Sequence, residues 1–185
     1  SPTSSPLLEV VRRCGGAILD FLAPPSCVAC DDPPGAWPFC ASCAESVLSA
    51  PPGTHAAWLY GGAVATAVAR FKYRARMDLA LPFAAALSSV YASLPVHDAL
   101  VPVPLHAASL AERGYNQAAL LAAALPQRRA PVRHGILGRT RSTVAQASLD
   151  RAERLINLRG AFEARACSGV RVVLALGRVS RDRAR

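Results

Sequence analysis

Six cysteines are the residues best suited to chemistry, and four of them are paired. Cys27-Val-Ala-Cys30 and Cys40-Ala-Ser-Cys43 form two CxxC motifs separated by nine residues. Each motif turns the chain so that both thiolates face one point, as four-coordinate zinc requires. The gap is shorter than in many zinc ribbons, but Pro33, Pro34 and Gly35 let it fold back. A redox CxxC is the alternative. It needs one pair at a helix start in a thioredoxin-like frame, and the doubled motif speaks against that. Sulfur fills all four positions, so the expected zinc is structural and has no open place for a water. Its removal should unfold the knuckle. Cys14 and Cys167 are left over and read as buried free thiols.

Two polar segments are candidates for ligand binding. Residues 98–106 read as a strand running into a proline-stiffened loop, and Arg113-Gly114-Tyr115-Asn116-Gln117 follows at the expected start of a helix. A loop between a parallel strand and a helix N-terminus suits phosphate, because free N–H groups and the helix dipole point outward there. Arg113 would add a two-pronged contact and Gly114 a close backbone approach. An ordinary turn with a solvated Arg and an Asn–Gln cap accounts for the same spacing. The second segment runs Arg139-Thr-Arg-Ser-Thr-Val-Ala-Gln146, followed by Arg151, Arg154, Asn157 and Gly160-Ala-Phe162. It is basic and hydroxyl-rich, and reads either as a mobile loop covering an anion or as plain surface. His106 is the candidate general base, with a solvated loop histidine as the alternative.

The elements that must position these residues are set by an apolar chain. Of 185 residues 52% are hydrophobic, enough for one ordinary domain with a small appendage and too many for wholesale disorder. No apolar run reaches the 18 or so residues of a membrane span. The N-terminus has no secretory pattern. The expected compartment is therefore cytoplasmic, where clustered cysteines more often hold metal than form disulfides. The formal charge is +9, yet lysine occurs once, at Lys72, among 21 basic residues. Such an arginine and alanine bias arises from GC-rich codons or from a phosphate or nucleic-acid partner. A helix is expected within 7–22, a compact cysteine segment over 26–43 and a linker over 51–53. Helices are expected over 63–73, 78–94, 115–125 and 150–158, with strands over 57–60, 99–103 and 170–174. Alternating strands and helices imply an α/β unit with a mostly parallel sheet. A boundary near 50–54 separates a knuckle region, 1–50, from the main domain, 55–185.

Taken in order, six features resemble the ComF family of phosphoribosyltransferase-like competence proteins, over roughly residues 20–174. They are the double CxxC, Phe71-Lys72-Tyr73, Pro102-Val-Pro104, Arg113-Gly-Tyr-Asn-Gln117, Arg139-Thr140 with Gln146, and Arg154-x-x-Asn157-x-x-Gly160-Ala-Phe162. The resemblance implies a type I phosphoribosyltransferase fold behind a double-zinc-ribbon-like knuckle. It implies phosphoribosyl pyrophosphate or a related phosphorylated ligand, with Mg²⁺ on the diphosphate if the chain is active. Pro104, Leu105, His106, Arg113, Gly114, Asn116 and Gln117 would hold pyrophosphate. Arg139, Thr140 and Gln146 would lie in the loop that closes over substrate, with Arg154 and Asn157 on the helix behind it. Members are amidophosphoribosyltransferase-like or take part in DNA uptake. The alternative function is thus a non-catalytic accessory factor that binds single-stranded DNA or competence proteins. The charge suits that role, but an aromatic content of 6% is low for a single-strand binder.

One departure stands out. The family pattern continues from the last strand into two adjacent acidic residues and a Thr-Thr-Gly-rich turn, which hold the ribose and its 5-phosphate. Here strand 170–174 leads into Ala175-Leu-Gly-Arg-Val-Ser-Arg-Asp-Arg-Ala-Arg185, with neither feature. The expectation is a chain altered after residue 174 by frameshift or truncation, and impaired in phosphoribosyl transfer. A purely structural or degraded product is the third reading.

Overall fold

A computed structural model describes residues 26–33, 35, 37–141, 143, 150–165 and 168–175. The helix expected within 7–22, Cys14, Cys167, Gln146 and the basic tail from 176 onward lie outside these residues, as does the side chain of Arg154. In chain order the helices are α1 (Ala41–Ala44), α2 (Gly62–Tyr73), α3 (Ala80–Ala86), α4 (Ser88–Ala92), α5 (Ala107–Arg113), α6 (Gln117–Ala124) and α7 (Arg151–Leu158). The strands are β1 (Ala99–Pro102), β2 (Leu137–Arg139), β3 (Phe162–Ala164) and β4 (Val172–Ala175).

The architecture is mixed α/β with a small parallel sheet. β1 is buried at every position and its apolar residues do not alternate with polar ones, as expected of a strand covered on both faces. β4 runs parallel beside it, with Leu100 opposite Val173. On the other edge Leu100 meets Val132 in an isolated parallel bridge. α6 packs on both strands, and α3 packs on α6. β2 and β3 form a separate antiparallel pair, with Arg139 opposite Phe162.

One apolar cluster joins the cysteine segment to the rest. Cys27, Val28, Phe39 and Cys40 are buried against Val64, Ala67 and Phe71 of α2, Phe83 of α3, and Tyr115. The residues expected as a linker sit at the tip of a hairpin instead. Leu59 N–H donates to the Leu48 carbonyl at 2.8 Å, Ala50 N–H donates to that of Ala57 at 3.1 Å, and Ser49 bridges Trp58. The strand expected over 57–60 is therefore a single bridge, and the core continues across the 50–54 boundary.

Other differences have local causes. The helix expected over 78–94 is divided. Pro82 has no N–H to give the Asp78 carbonyl, so α3 begins after a 3₁₀ turn at Met77–Leu79. Leu87 relaxes to ψ −5°, and Ser88 Oγ bonds the Ala85 carbonyl at 2.6 Å, which separates α4. The proline-stiffened loop expected to reach Arg113 holds a helix, α5. It ends at Gly114, whose φ of 76° is left-handed and whose N–H closes on the Leu110 carbonyl at 2.8 Å. β2 and β3, three residues each, are too short to show a period.

Candidate functional site

The cysteine segment is built by turns that aim sulfur inward. Cys27 N–H donates to the Asp32 carbonyl at 2.8 Å and Asp31 N–H to that of Cys27 at 3.0 Å, closing the first CxxC. The second opens α1, where Ala44 N–H reaches the Cys40 carbonyl at 2.9 Å. The four Sγ atoms all lie within 4.8 Å of one another and are positioned to hold a metal ion. Tetrahedral zinc, with bonds of about 2.3 Å, separates its sulfurs by about 3.8 Å. Cys30 Sγ stands 3.5 Å from that of Cys40 and 3.6 Å from that of Cys43, so the donor set and its spacing fit zinc.

The electrostatics also call for a cation. The Ser42 hydroxyl and then the Cys43 N–H stabilise the Cys40 thiolate and bring its pKa down to about 6. Burial disfavours the Cys27 thiolate, yet the N–H groups of Cys40, Ala29 and Cys30 outweigh it and lower that pKa. Cys43 goes the other way, to about 11, through burial and the neighbouring Cys40. At Cys30 the Asp32 N–H favours the thiolate, but burial and the three surrounding thiols prevail and raise the pKa. Crowded thiolates oppose one another's ionisation, and a bound divalent ion removes that opposition.

A second constellation lies between the two polar segments. Arg139 projects from β2 with its guanidinium 5.5 Å from the centre of the Phe162 ring on β3, and donates to Thr143 Oγ1. Arg113 ends α5 with its guanidinium 5.1 Å from the centre of the Tyr73 ring. Arg141 donates to the carbonyls of Asn157 at 2.9 Å and Arg159 at 2.7 Å, tying the chain after β2 to the end of α7. The Nε–H groups of Arg113 and Arg139 are buried and donate to no partner among the described residues. Burial, then the charges of Arg113 and Arg141, lower the Arg139 pKa. Among the described residues none of the three forms an ion pair with a carboxylate; those pairs belong to Arg70, Arg76 and Arg171. Buried donors on mutually repelling cations are costly until an anion arrives.

No family model, curated protein or solved structure matches the chain.

The remaining residues singled out in the sequence divide by what they touch. Asn116 caps α6, with Oδ1 accepting from Ala118 N–H at 2.9 Å and Ala119 N–H at 3.4 Å, while Nδ2 donates to the Val103 carbonyl at 3.0 Å. Gln117 is buried and donates to the Lys72 carbonyl at 3.5 Å. His106 caps α5 by accepting from Ala108 N–H at 3.3 Å, which commits its Nδ1. Thr140 is held by the Gly160 and Ala161 carbonyls, each at 3.0 Å. Pro104 and Leu105 are half-buried in the turn before α5, and Gly114 is exposed. Asn157 lies on α7 beside Arg141 through its carbonyl. Arg141, within the second polar segment, was given no role of its own, although its place two residues after Arg139 puts both on one face of an extended chain. Tyr73 and Phe162, quoted only as parts of motifs, are shelves for guanidinium planes.

The double duty of Asn116 sets a test of stability. Asn116→Ala removes the cap of α6 and its tie to the end of β1, and is expected to cost about 1–2 kcal/mol in chemical denaturation. A change below a few tenths would mean that the cap is replaced by water.

Proposed function

We propose that this chain is a ComF-like member of the phosphoribosyltransferase family that binds phosphoribosyl pyrophosphate, or a closely related phosphate ester, at Arg113 and Arg139. The observation that carries the reading is the pair of buried Nε–H groups, on two guanidinium groups that have no carboxylate partner, left without an acceptor among the described residues. Arginine presents a planar fork that matches phosphate oxygens in pairs. Stacking on Tyr73 and Phe162 fixes the planes of both forks before a ligand arrives, which lowers the entropy lost on binding. The type I phosphoribosyltransferase fold belongs to the same proposal. It is supported by a parallel β1–β4 pair whose C-terminal end leads through residues 103–106 towards α5 and Arg113.

In this reading the four cysteines carry zinc as a structural ion, since every position offered is sulfur. Among the described residues no carboxylate pairs with Arg113, Arg139 or Arg141, so Mg²⁺ would come with the diphosphate rather than be held beside them. Transfer is expected to be impaired, because residues 175–185, directly after Leu174, hold neither an acidic pair nor a Thr-Thr-Gly turn. The chain would then bind its ligand better than it turns it over.

Calorimetric titration of the zinc-loaded protein with phosphoribosyl pyrophosphate tests this. Saturable one-to-one binding, with little or no release of pyrophosphate, is the expected result. Single-stranded DNA that binds while phosphoribosyl pyrophosphate does not would replace this reading with that of a DNA-uptake factor. Among the described residues no helix is long and apolar enough to cross a membrane.

A further inference from the structure

The metal centre and the arginine pair are far apart in sequence, yet both rest on the last turn of α2. On one side, Arg70 donates to the Val28 carbonyl at 3.4 Å and to the Asp31 carboxylate, both within the turn that carries Cys27 and Cys30. Arg76, just beyond the helix, bonds the other Asp31 oxygen at 2.5 Å and Asp78 at 2.8 Å. On the other side, the Tyr115 hydroxyl donates to the Phe71 carbonyl and Gln117 Nε2 to that of Lys72. Tyr73 supports the Arg113 guanidinium. Residues 70–73 therefore hold the cysteine turn with one side chain and the anion loop with two carbonyls and a ring.

A chain of aromatic contacts follows the same route. Phe39, buried between the CxxC motifs, meets Trp58 at 5.4 Å, and Trp58 meets Phe83 at 6.1 Å. Phe83 meets Phe71 at 5.4 Å, and Phe71 meets Tyr115 at 6.0 Å, two residues from Arg113. Close-packed rings transmit a displacement because there is no void to absorb it. With the cysteine turn fixed by metal, Val28, Asp31 and Phe39 are fixed as well, and with them the end of α2 and its Tyr73 shelf.

We propose that metal in the four-cysteine centre and an anion at Arg113 and Arg139 bind cooperatively, with Arg70 as the positioning residue that links them. This rests on the anion-site reading above. Linkage requires the effect to be mutual: whatever factor the metal contributes to anion affinity, the anion contributes to metal affinity.

Sulfate is a suitable probe because it competes only weakly for zinc. Its binding to the zinc-loaded protein is measured first by calorimetry. Zinc affinity is then measured against a chromophoric chelator, with and without saturating sulfate at constant ionic strength. The expected result is a roughly tenfold tighter hold on zinc in sulfate, within the common range of allosteric coupling of about 5- to 150-fold. Arg70→Met keeps the aliphatic packing and removes the clamp. It should still bind one zinc and still bind sulfate, while the tenfold factor falls towards one. Sulfate that binds without changing zinc affinity overturns the linkage and leaves the anion site standing. An Arg70→Met protein with the full factor assigns the coupling elsewhere and overturns the role of Arg70. Failure of sulfate to bind the zinc-loaded protein overturns the anion site and the linkage together.

Discussion

Stripping the metal from the four cysteines is expected to destabilise far more than the knuckle. The apparent free energy of zinc binding to small cysteine and histidine sites is about 10–16 kcal/mol, which is as large as the whole stability of an ordinary domain, about 5–15 kcal/mol. Here the ligands Cys27 and Cys40 are themselves core residues, packed in one cluster with Phe71, Phe83 and Tyr115. Cys40→Ser, or treatment with a strong chelator, should therefore cost at least about 4 kcal/mol and lower Tm by on the order of 10 °C. Metal analysis together with calorimetric melting checks this. One zinc per chain in the native protein, none after substitution and a lost or broadened transition is the expected set. Cys14→Ser and Cys167→Ser are the controls and should leave the stoichiometry at one. Acidification should act like a chelator, because protons compete for the thiolates and Cys43, with its raised pKa, takes one up readily. A substituted protein that melts as before would show that packing alone holds the cysteine turn.

The four-cysteine cluster, positioned to hold a metal ion, was legible because spacing alone constrains it. Two CxxC turns can aim sulfur at one point in very few ways, and the chain returns between them through Gly35 N–H on the Phe39 carbonyl and Val28 N–H on that of Pro38. Strands β1 and β4 and helices α2, α6 and α7 were legible within one or two residues of their ends, because their apolar runs are long enough to carry a pattern. In the structure α7 opens on a capping box between Asp150 and Glu153. What the sequence hid was short or dependent on distant partners. α5 is seven residues of mostly small or polar type, too short and too weakly patterned to stand out from a loop. The β2–β3 pair draws its stability from cross-strand contacts such as Arg139 on Phe162, which no local window contains. Asn116 and Gln117 illustrate a different limit. Their place in a polar motif suggests ligand contact, while their hydrogen bonds go to Val103, α6 and Lys72. The motif Arg113-Gly-Tyr-Asn-Gln117 is thus largely a docking device for the end of α2, and Arg113 is the member left with an unspent donor.

Replacing Arg113 and Arg139 together should abolish anion binding without weakening the fold. A charge-assisted hydrogen bond contributes about 1.5–3 kcal/mol, so Arg113→Met or Arg139→Met alone should reduce affinity for phosphoribosyl pyrophosphate by about 10- to 100-fold. The two share one ligand, so their effects are not independent, and the double variant should fall below detection rather than to the product of the single losses. Arg139→Lys is the sharper probe. It keeps the charge but loses the planar fork and the stacking on Phe162, and should therefore bind hardly better than Arg139→Met. Stability should move the other way. In the free protein Arg139 is a half-buried cation opposed by Arg113 and Arg141, so removing its charge relieves repulsion and desolvation at once. Methionine fills much of the same volume against the ring. Unchanged or raised Tm with lost binding is the pattern of a site selected for a ligand at the expense of the fold. The contrary pattern, lower Tm with binding intact, would make both arginines packing residues whose unpaired Nε atoms meet water, and the anion would have to bind elsewhere.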